Sequence, residues 1–209
     1  MHEPKNDELT NPEAVRAFYG EPSHMSKAKQ IDHLDAYCKA FIQLSPFVVI
    51  ATTDAQGRAD ASPRGDQPGL VATVIDDKTL IIPDRIGNRR ADTIKNITEN
   101  PHVGLLFMVP GINETLRVNG PVRVTSDEAA LAPLTFAGKI PLSGLVGSAE
   151  EVFFHCGKPL IRSGLWNPQS RVERENFPSL GKILADQIGT GKAADLDRGI
   201  EEQYRTRLY

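Results

Sequence analysis

The sequence predicts a mainly β fold with flanking helices, arranged as a small closed or split antiparallel barrel. Six apolar or alternating segments recur between residues 47 and 125 at the short spacing that is typical of β-hairpins. A single helical segment interrupts them, so the sequence lacks the regular strand–helix alternation of a parallel doubly wound sheet. Small antiparallel sheets of this kind bury one face by closing on themselves.

The N-terminal part is predicted to be a polar arm, residues 1–26, with a short helix at residues 12–19. Residues 27–209 are predicted to form a single domain with a helical extension from about residue 127. A long amphipathic helix is predicted at residues 27–44, where Pro46 ends the pattern. Its apolar stripe consists of Ile31, Leu34, Cys38, Phe41 and Ile42.

The hydrophobic period changes to two after residue 46. Strands are predicted at residues 47–53, 58–62, 70–75, 79–82, 102–109 and 116–125. Residues 54–57, Asp-Ala-Gln-Gly, have the pattern of a type I turn, and residues 76–78 predict a second hairpin. Pro63 and Gly65 are expected to interrupt the second strand.

The helix within the strand-rich region is predicted at residues 89–99, with Asn88 as its N-cap. Beyond residue 126 the pattern becomes helical, with a short helix near residue 128 and amphipathic helices at 177–188 and 193–208. Residues 148–151 resemble a capping box, so the segment that follows is predicted to be either a helix or a strand.

Composition excludes several classes of function. The net charge of −3 gives no basic surface for nucleic acid, and the longest apolar run, residues 47–51, is too short to span a membrane. The N-terminus lacks the apolar segment of a secretion signal, which predicts a cytoplasmic protein. Cys38 and Cys156 are far apart and form no CxxC pair, so neither a disulfide framework nor a zinc site is predicted.

Familiar catalytic and cofactor motifs are missing from the sequence. It contains no GxGxxG after a strand, no GxxxxGK[ST], no HExxH and no GxSxG. The five histidines have no metal-ligand spacing. His155 beside Cys156 is interpreted as a packed pair rather than a metal site, and no catalytic acid or base is assigned.

The most informative segment is residues 82–90, Ile-Pro-Asp-Arg-Ile-Gly-Asn-Arg-Arg. It ends a β-type run, opens the predicted helix and carries Arg85, Arg89 and Arg90. A cation in the first turn of a helix costs about 0.3–1 kcal/mol, because the backbone N–H groups already make this end positive. A bound anion reverses that sign, so the pattern favours a phosphate site. The alternative is a solvated surface pair of arginines.

A second candidate segment is residues 62–66, Ser-Pro-Arg-Gly-Asp, at the end of the second predicted strand. Its proline and glycine favour a bent, exposed backbone whose polar groups suit a planar ring. Arg64 is placed to hydrogen-bond a carbonyl or a developing anion on such a ring. The alternative is an ordinary loop with one solvated arginine.

The order of these segments resembles the FMN-binding split barrel of the pyridoxamine 5′-phosphate oxidase family over roughly residues 40–125. Residues 47–57 resemble its opening hairpin, and residues 81–90 resemble its phosphate-binding junction, where a Ser/Asn-Arg-Lys/Arg triplet grips the FMN phosphate. Residues 100–105 resemble its Asn-Pro step into the next strand. Residues 115–120, Thr-Leu-Arg-Val-Asn-Gly, are similar to its Gln-Val-Arg-Val-Glu-Gly strand.

Residues 155–166 are similar to a subgroup of FMN-dependent members without a characterised substrate. The Arg-Leu-His-Asp-Arg ending of vitamin B6 phosphate oxidases has no convincing match, so oxidation of vitamin B6 is not expected. The resemblance implies an antiparallel Greek-key split barrel, FMN as cofactor, and a homodimer with FMN at the subunit interface.

The resemblance also implies the site residues. FMN contacts are expected from Ser62, Arg64, Pro83, Arg85, Asn88, Arg89, Arg90, Thr115, Arg117 and Trp166. Of these, Thr115, Arg117 and Trp166 are expected to come from the partner chain. Lys158, Arg162 and Trp166 are four residues apart, so a helix is expected to place them on one face that covers the flavin or binds an anionic substrate. The alternative is surface charge with a packed tryptophan.

Two functional hypotheses follow. The first is an FMN-dependent oxidoreductase that uses the flavin N5 for hydride transfer to or from a small molecule, with the protein supplying position and electrostatics. The second is a carrier or sensor that binds flavin, haem or deazaflavin without turnover. A plain β-barrel interaction domain ranks last, because it leaves the arginine cluster unexplained.

Overall fold

The computed structural model describes residues 9–209, and residues 1–8 of the expected N-terminal arm lie outside this range. The strands are β1 (Phe47–Thr53), β2 (Ala59–Gly65), β3 (Thr73–Val74), β4 (Thr79–Asp84), β5 (His102–Met108), β6 (Thr115–Thr125), β7 (Ser143–Ser148) and β8 (Glu151–His155). The α-helices are α1 (Pro12–Tyr19), α2 (His24–Ala28), α3 (Ala36–Leu44), α4 (Asp92–Glu99), α5 (Glu128–Leu131), α6 (Lys158–Ser163), α7 (Leu180–Ile188) and α8 (Ala193–Thr206).

The strands form one antiparallel sheet in the order β2-β1-β5-β6-β7-β4-β3, and β8 adds to the other side of β6. The predicted mainly β, antiparallel barrel with flanking helices is therefore confirmed. The long strand β6 organises the sheet, because its first half pairs with β5 and β8 and its last four residues pair with β7. Gly120 is required at the change of partner, since a Cβ there would lie 1.9 Å from the carbonyl oxygen of Ser148.

One hydrophobic core fills the inner side of the sheet. Alternate residues of β1, β5 and the first half of β6 are buried there, and α3 and α4 close it with Phe41, Ile42 and Ile97. The alternate residues that are not buried in this core point to the opposite side of the sheet. This second surface, called here the outer face, carries among others Val49, Leu106, Arg117 and Phe153.

The single helix predicted at residues 27–44 is wrong. The structure has α2 and α3 with an extended segment between them, where the backbone of Ile31 exchanges two hydrogen bonds with Val152, at 2.9 and 2.8 Å. Asp35 then begins α3 by accepting a hydrogen bond from the Cys38 amide. Tertiary pairing with β8 therefore overrides the helical periodicity.

The strands differ from the prediction at several places. β2 continues through Pro63 and Gly65, since it is an edge strand and pairs with β1 alone. The strand predicted at residues 70–75 is reduced to β3. The segment after residue 150 is the strand β8, so its helical alternative is wrong, and β7 was not predicted because its Ser-Gly-Leu-Val-Gly-Ser sequence gives a weak alternation.

The helical extension predicted from about residue 127 is wrong for residues 143–155, which form β7 and β8 of the sheet, whereas residues 158–206 carry α6, α7 and α8. α7 and α8 pack against each other as a helical hairpin. Asp197 of α8 accepts hydrogen bonds from the Ser179 hydroxyl and the Gly181 amide at the start of α7, at 2.6 and 2.8 Å. Within residues 9–209, every helix is too short or too polar to cross a membrane.

Candidate functional site

Two ion pairs join the ends of β2 and β4, which are not hydrogen-bonded neighbours in the sheet. Arg64 Nη2 lies 3.8 Å from Asp84 Oδ1, and Arg85 Nε donates to Asp66 Oδ2 at 2.8 Å. The gap between the ends of β2 and β4 is called here the split of the barrel. Side chains, and not backbone hydrogen bonds, connect the two strands across it. All four residues are partly buried, with the side chain of Asp66 almost fully covered, and Arg64, Asp84 and Arg85 can offer polar atoms to a ligand.

Arg64 also connects β2 to the start of α4. Its Nη2 donates to the buried Thr93 hydroxyl at 3.4 Å, and its Nη1 donates to the Pro63 carbonyl at 2.9 Å. The N-cap position of α4 is Ala91, which has no side-chain cap. The first-turn N–H groups of this helix therefore lack a capping side chain, and the guanidinium lies beside them, so this region attracts anions.

The predicted placement of Arg89 and Arg90 in the first helical turn is wrong. α4 begins only at Asp92, because Arg89 and Ala91 have left-handed backbones, with φ of 61° and 56°. Asn88 is not the N-cap. Its side-chain oxygen instead accepts the Arg90 amide at 3.0 Å and so folds the loop on itself.

This loop, residues 86–91, is exposed and strained. A left-handed non-glycine residue costs on the order of 1–3 kcal/mol, and such residues concentrate at functional sites. Arg90 pairs with Asp92 at 2.8 Å, whereas Arg89 makes no ion pair within residues 9–209. Within the described residues, the Arg90 guanidinium is therefore paired with a carboxylate and the Arg89 guanidinium is not. Both precede a helix that has no capping side chain.

Asp66 and Tyr209 belong to the same cluster and were missed in the sequence. The Tyr209 hydroxyl donates to Asp66 Oδ1 at 3.0 Å, and its ring lies 5.7 Å from the Arg85 guanidinium carbon. Arg85 Nη2 is buried, with no hydrogen-bond partner in the described chain. Asp66 stands in the segment singled out in the sequence, but no signal pointed to Tyr209, which is 143 residues away.

Ser62 and Pro83 lie on the strands that carry these arginines. Ser62 is half-buried on the same side of β2 as Arg64, and its hydroxyl bonds to Asp60 at 3.2 Å. Pro83 is buried in β4 opposite Gly144. The fold thus brings seven of the predicted residues to the ends of β2 and β4 and the loop after β4: Ser62, Arg64, Pro83, Arg85, Asn88, Arg89 and Arg90.

Thr115 and Arg117 lie on β6, away from the arginine cluster at the ends of β2 and β4. Arg117 is on the outer face, where its guanidinium lies 4.8 Å from the Phe153 ring and 3.7 Å from Glu151. β6 is three strand spacings from β2, roughly 14 Å, and Arg117 faces away from the core. One chain alone therefore does not bring Thr115 and Arg117 to Arg64.

The predicted common face of Lys158, Arg162 and Trp166 is wrong for the tryptophan. α6 ends at Ser163, because Gly164 is left-handed, and Trp166 follows it. The indole N–H of Trp166 donates to the Ile112 carbonyl at 2.8 Å, which fastens this segment to the barrel. Lys158 and Arg162 do share an exposed face of α6.

His155 packs 4.8 Å from the Phe153 ring. Burial is the main cause of a lowered pKa at His155, and the positive charges of Arg117 and Lys29 lower this pKa further. Groups of three or more histidine, cysteine or acidic side chains suited to a metal do not occur in residues 9–209. A shallow groove of about 430 Å³ lies at the opposite end of β1 from the arginines, lined in part by Ala51, His102 and Gly104.

An antiparallel barrel whose split is bridged by arginine–aspartate pairs defines the structural class of this protein. The sequence model for pyridoxamine 5′-phosphate oxidase matches residues 34–156, more than half of the chain. The protein therefore belongs to the pyridoxamine 5′-phosphate oxidase family. The match covers β1–β8 together with α3, α4 and α5.

Solved structures give more distant similarities. HupZ of Group A Streptococcus is 21% identical, covering 57% of this chain and 92% of its own, with a TM-score of 0.48. HutZ of Vibrio cholerae, described as a heme storage protein, is 17% identical, covering 58% and 93%, with a TM-score of 0.41. An FMN-binding, pyridoxamine 5′-phosphate oxidase-related protein of Nostoc punctiforme is 15% identical, covering 50% and 70%, with a TM-score of 0.34. A search of curated proteins finds no match.

Proposed function

We propose that this protein binds FMN and acts as an oxidoreductase on a small molecule. The observation that carries the proposal is the concentration of Arg64, Arg85, Arg89 and Arg90 around an uncapped helix start. The donor set suits a phosphate, because guanidinium groups and helix N–H groups both bind phosphate oxygens. The buried Arg85 Nη2, which has no partner in the described chain, supports the same fit, because a ligand oxygen would satisfy it.

Each residue then has a role. Arg85, Asn88, Arg89 and Arg90 hold the phosphate, while Arg64 hydrogen-bonds the pyrimidine edge of the flavin. Ser62 and Pro83 flank the ring from β2 and β4. When bound, FMN supplies hydride transfer at N5, and these residues supply position and electrostatics. We assign no general acid or base among the side chains of this site.

We further propose a homodimer in which the outer faces of two sheets meet. Val49, Leu106 and Phe153 are apolar and half-buried on this face, so a second copy would remove them from water. Thr115, Arg117 and Trp166 would then approach the flavin of the partner, and Lys158 and Arg162 would cover it or bind an anionic substrate. Sedimentation velocity over a range of concentrations tests this, and a monomer throughout would contradict it.

The phosphate assignment is tested with the double variant Arg89→Ala/Arg90→Ala. Each charge-assisted hydrogen bond contributes about 1.5–3 kcal/mol, so FMN affinity is expected to fall at least about 100-fold. The matched control is Arg198→Ala/Arg205→Ala on α8, which removes the same charge from an exposed surface. Unchanged FMN binding in the first variant would contradict the assignment.

Two measurements on the purified protein distinguish an enzyme from a protein that binds its cofactor without turnover. The visible absorption spectrum and the chromophore released on denaturation identify the cofactor, and a Soret band would indicate haem instead of flavin. Reduction of bound FMN by NADH or NADPH, followed by reoxidation by an acceptor, supports catalysis. Binding without reduction by any donor supports a carrier or sensor. We propose a cytoplasmic location, where Cys38 and Cys156, both free thiols, stay reduced.

A further inference from the structure

Tyr209 is held against the barrel by three separate contacts. Its hydroxyl donates to Asp66, its ring packs 4.2 Å from the Phe136 ring, and its backbone oxygen accepts a hydrogen bond from Lys139 Nζ at 2.7 Å. These partners come from the end of β2 and from the segment between α5 and β7. The contacts therefore bring the end of the described chain to the split of the barrel.

Asp66 lies between Tyr209 and Arg85 and contacts both. One of its carboxylate oxygens accepts from the Tyr209 hydroxyl at 3.0 Å and the other from Arg85 Nε at 2.8 Å. The side chain of Asp66 is 2% exposed and that of Arg85 is 15% exposed. A guanidinium fixed through Nε and covered by an aromatic ring has little freedom to turn, so its remaining N–H groups point in a defined direction.

Arg85 Nη2 is buried but unpaired within the described residues. A buried donor without an acceptor costs roughly as much as a lost hydrogen bond to a charged group. Such a donor is tolerated where a ligand supplies the acceptor, and Arg85 immediately precedes the loop that carries Arg89 and Arg90. This N–H group is therefore a donor that an anionic oxygen of a ligand would satisfy.

We propose that Asp66 and Tyr209 are positioning residues that orient Arg85 toward the phosphate of FMN. This inference rests on the proposed function, because it assigns the phosphate as the ligand of Arg85. Asp66 sets the direction of the guanidinium, and Tyr209 fixes Asp66 and shields the ion pair from water. Shielding strengthens the charge that Arg85 presents to a phosphate oxygen.

Tyr209 remains a hydrogen-bond donor under ordinary conditions. Burial raises the pKa of its phenol, and the hydrogen bond to Asp66 raises it further, against a smaller opposing effect of Arg85. The phenol is therefore protonated at neutral pH and donates to Asp66, which agrees with the geometry of the cluster.

The test compares FMN with riboflavin, which lacks only the phosphate. Fluorescence titration of the apoprotein gives the dissociation constant of each, and their ratio isolates the phosphate contacts. We expect the preference for FMN to fall about 3–10-fold in Tyr209→Phe and about 10-fold or more in Tyr209→Ala and Asp66→Asn. Riboflavin affinity is expected to stay within about twofold of the unmodified protein.

Tyr204→Phe is the matched control, because it removes the same hydroxyl from an exposed position on α8. It should leave both affinities unchanged. If Asp66→Asn fails to fold, the Tyr209 variants still carry the test, because Tyr209 is outside the hydrophobic core.

Three outcomes would overturn the inference, and they differ in meaning. An unchanged ratio in all Tyr209 and Asp66 variants would show that Arg85 needs no positioning, while the proposed function would stand. Tighter FMN binding in Tyr209→Ala would show that Tyr209 obstructs the site. A protein that binds FMN no better than riboflavin before any substitution would remove the phosphate assignment, and the inference with it.

Discussion

The chain on the two sides of Cys156 is stabilised in different ways. All buried hydrophobic residues of the described chain lie between Leu34 and Val152, in the barrel and the helices that close it. Beyond Cys156, the buried residues are two glycines, Gly157 and Gly181. The barrel is therefore stabilised by apolar burial, whereas the C-terminal region depends on specific polar contacts.

The two regions are therefore vulnerable to different kinds of substitution. The main core of the barrel joins β1, β5, β6 and the helices that cover them, so damage to it lowers the stability of the barrel as a whole. The α7–α8 hairpin packs mainly on itself and contacts the barrel region through the polar and aromatic contacts of Tyr209. We expect it to open locally without unfolding the barrel.

Phe107→Ala is expected to have the largest effect. Phe107 is fully buried in β5, so the substitution removes a large side chain from the continuous core and should lower the free energy of unfolding by about 3–5 kcal/mol. Urea denaturation followed by circular dichroism measures the change. Phe18→Ala, at a position 71% exposed on α1, is the control and should cost less than about 0.5 kcal/mol. Comparable losses in both variants would contradict a barrel stabilised by its core.

Gly181→Ala is expected to open the hairpin and leave the barrel folded. A Cβ at this position would lie 2.4 Å from Asp197 Oδ1 and 2.6 Å from the Ala193 carbonyl oxygen. Overpacking of this kind costs about 1–3 kcal/mol, here confined to α7 and α8. Limited proteolysis should cleave the variant between these helices, while thermal unfolding of the barrel stays unchanged.

Gly199→Ala provides the matched control in the same hairpin. Nothing lies within 4 Å of a Cβ at Gly199, so the alanine should stabilise α8 by up to about 1 kcal/mol. If Gly181→Ala instead lowered the unfolding temperature of the barrel as Phe107→Ala does, the two regions would be one cooperative unit.

The sequence predicted the barrel better than its surroundings, for physical reasons. β1, β5 and β6 alternate strongly between core and outer face, so their periodicity alone identified them. β7 contains two glycines and two serines in six residues and carries little of that signal. The helical stripe at Ile31 was misleading, because its backbone pairs with Val152, a contact between residues more than 100 positions apart.

The site was predictable as a set of residue types but not as a geometry. Arg85, Arg89 and Arg90 were visible because three cations lie close together at a strand–helix junction. The left-handed backbones of Arg89 and Ala91 were not, since neither residue type favours that conformation. Tyr209 escaped notice because its role depends entirely on where the fold places the chain after α8.

Asp84→Asn at the split of the barrel is expected to have the smallest effect. Burial raises the pKa of the Asp84 carboxyl above its usual 3.8, and Arg64 opposes the shift only in part. The folded protein thus holds this proton more tightly than the unfolded chain does. The resulting stability is fully present below about pH 3.8 and is lost as the pH rises through the folded-state pKa.

At pH 7 the ionised Asp84 carboxylate therefore slightly lowers the free energy of unfolding, and asparagine removes this effect. We expect Asp84→Asn to be more stable than the unmodified protein at pH 7 by less than about 1 kcal/mol, since solvent screens this partly exposed group. The gain should shrink toward pH 4, as measured by urea denaturation across that range. Glu201→Gln removes a carboxylate from an exposed position on α8 and is the control; it should change stability at pH 7 by less than about 0.5 kcal/mol. A loss of stability at pH 7 would show that the Arg64 ion pair outweighs burial, so that the split is held by charge.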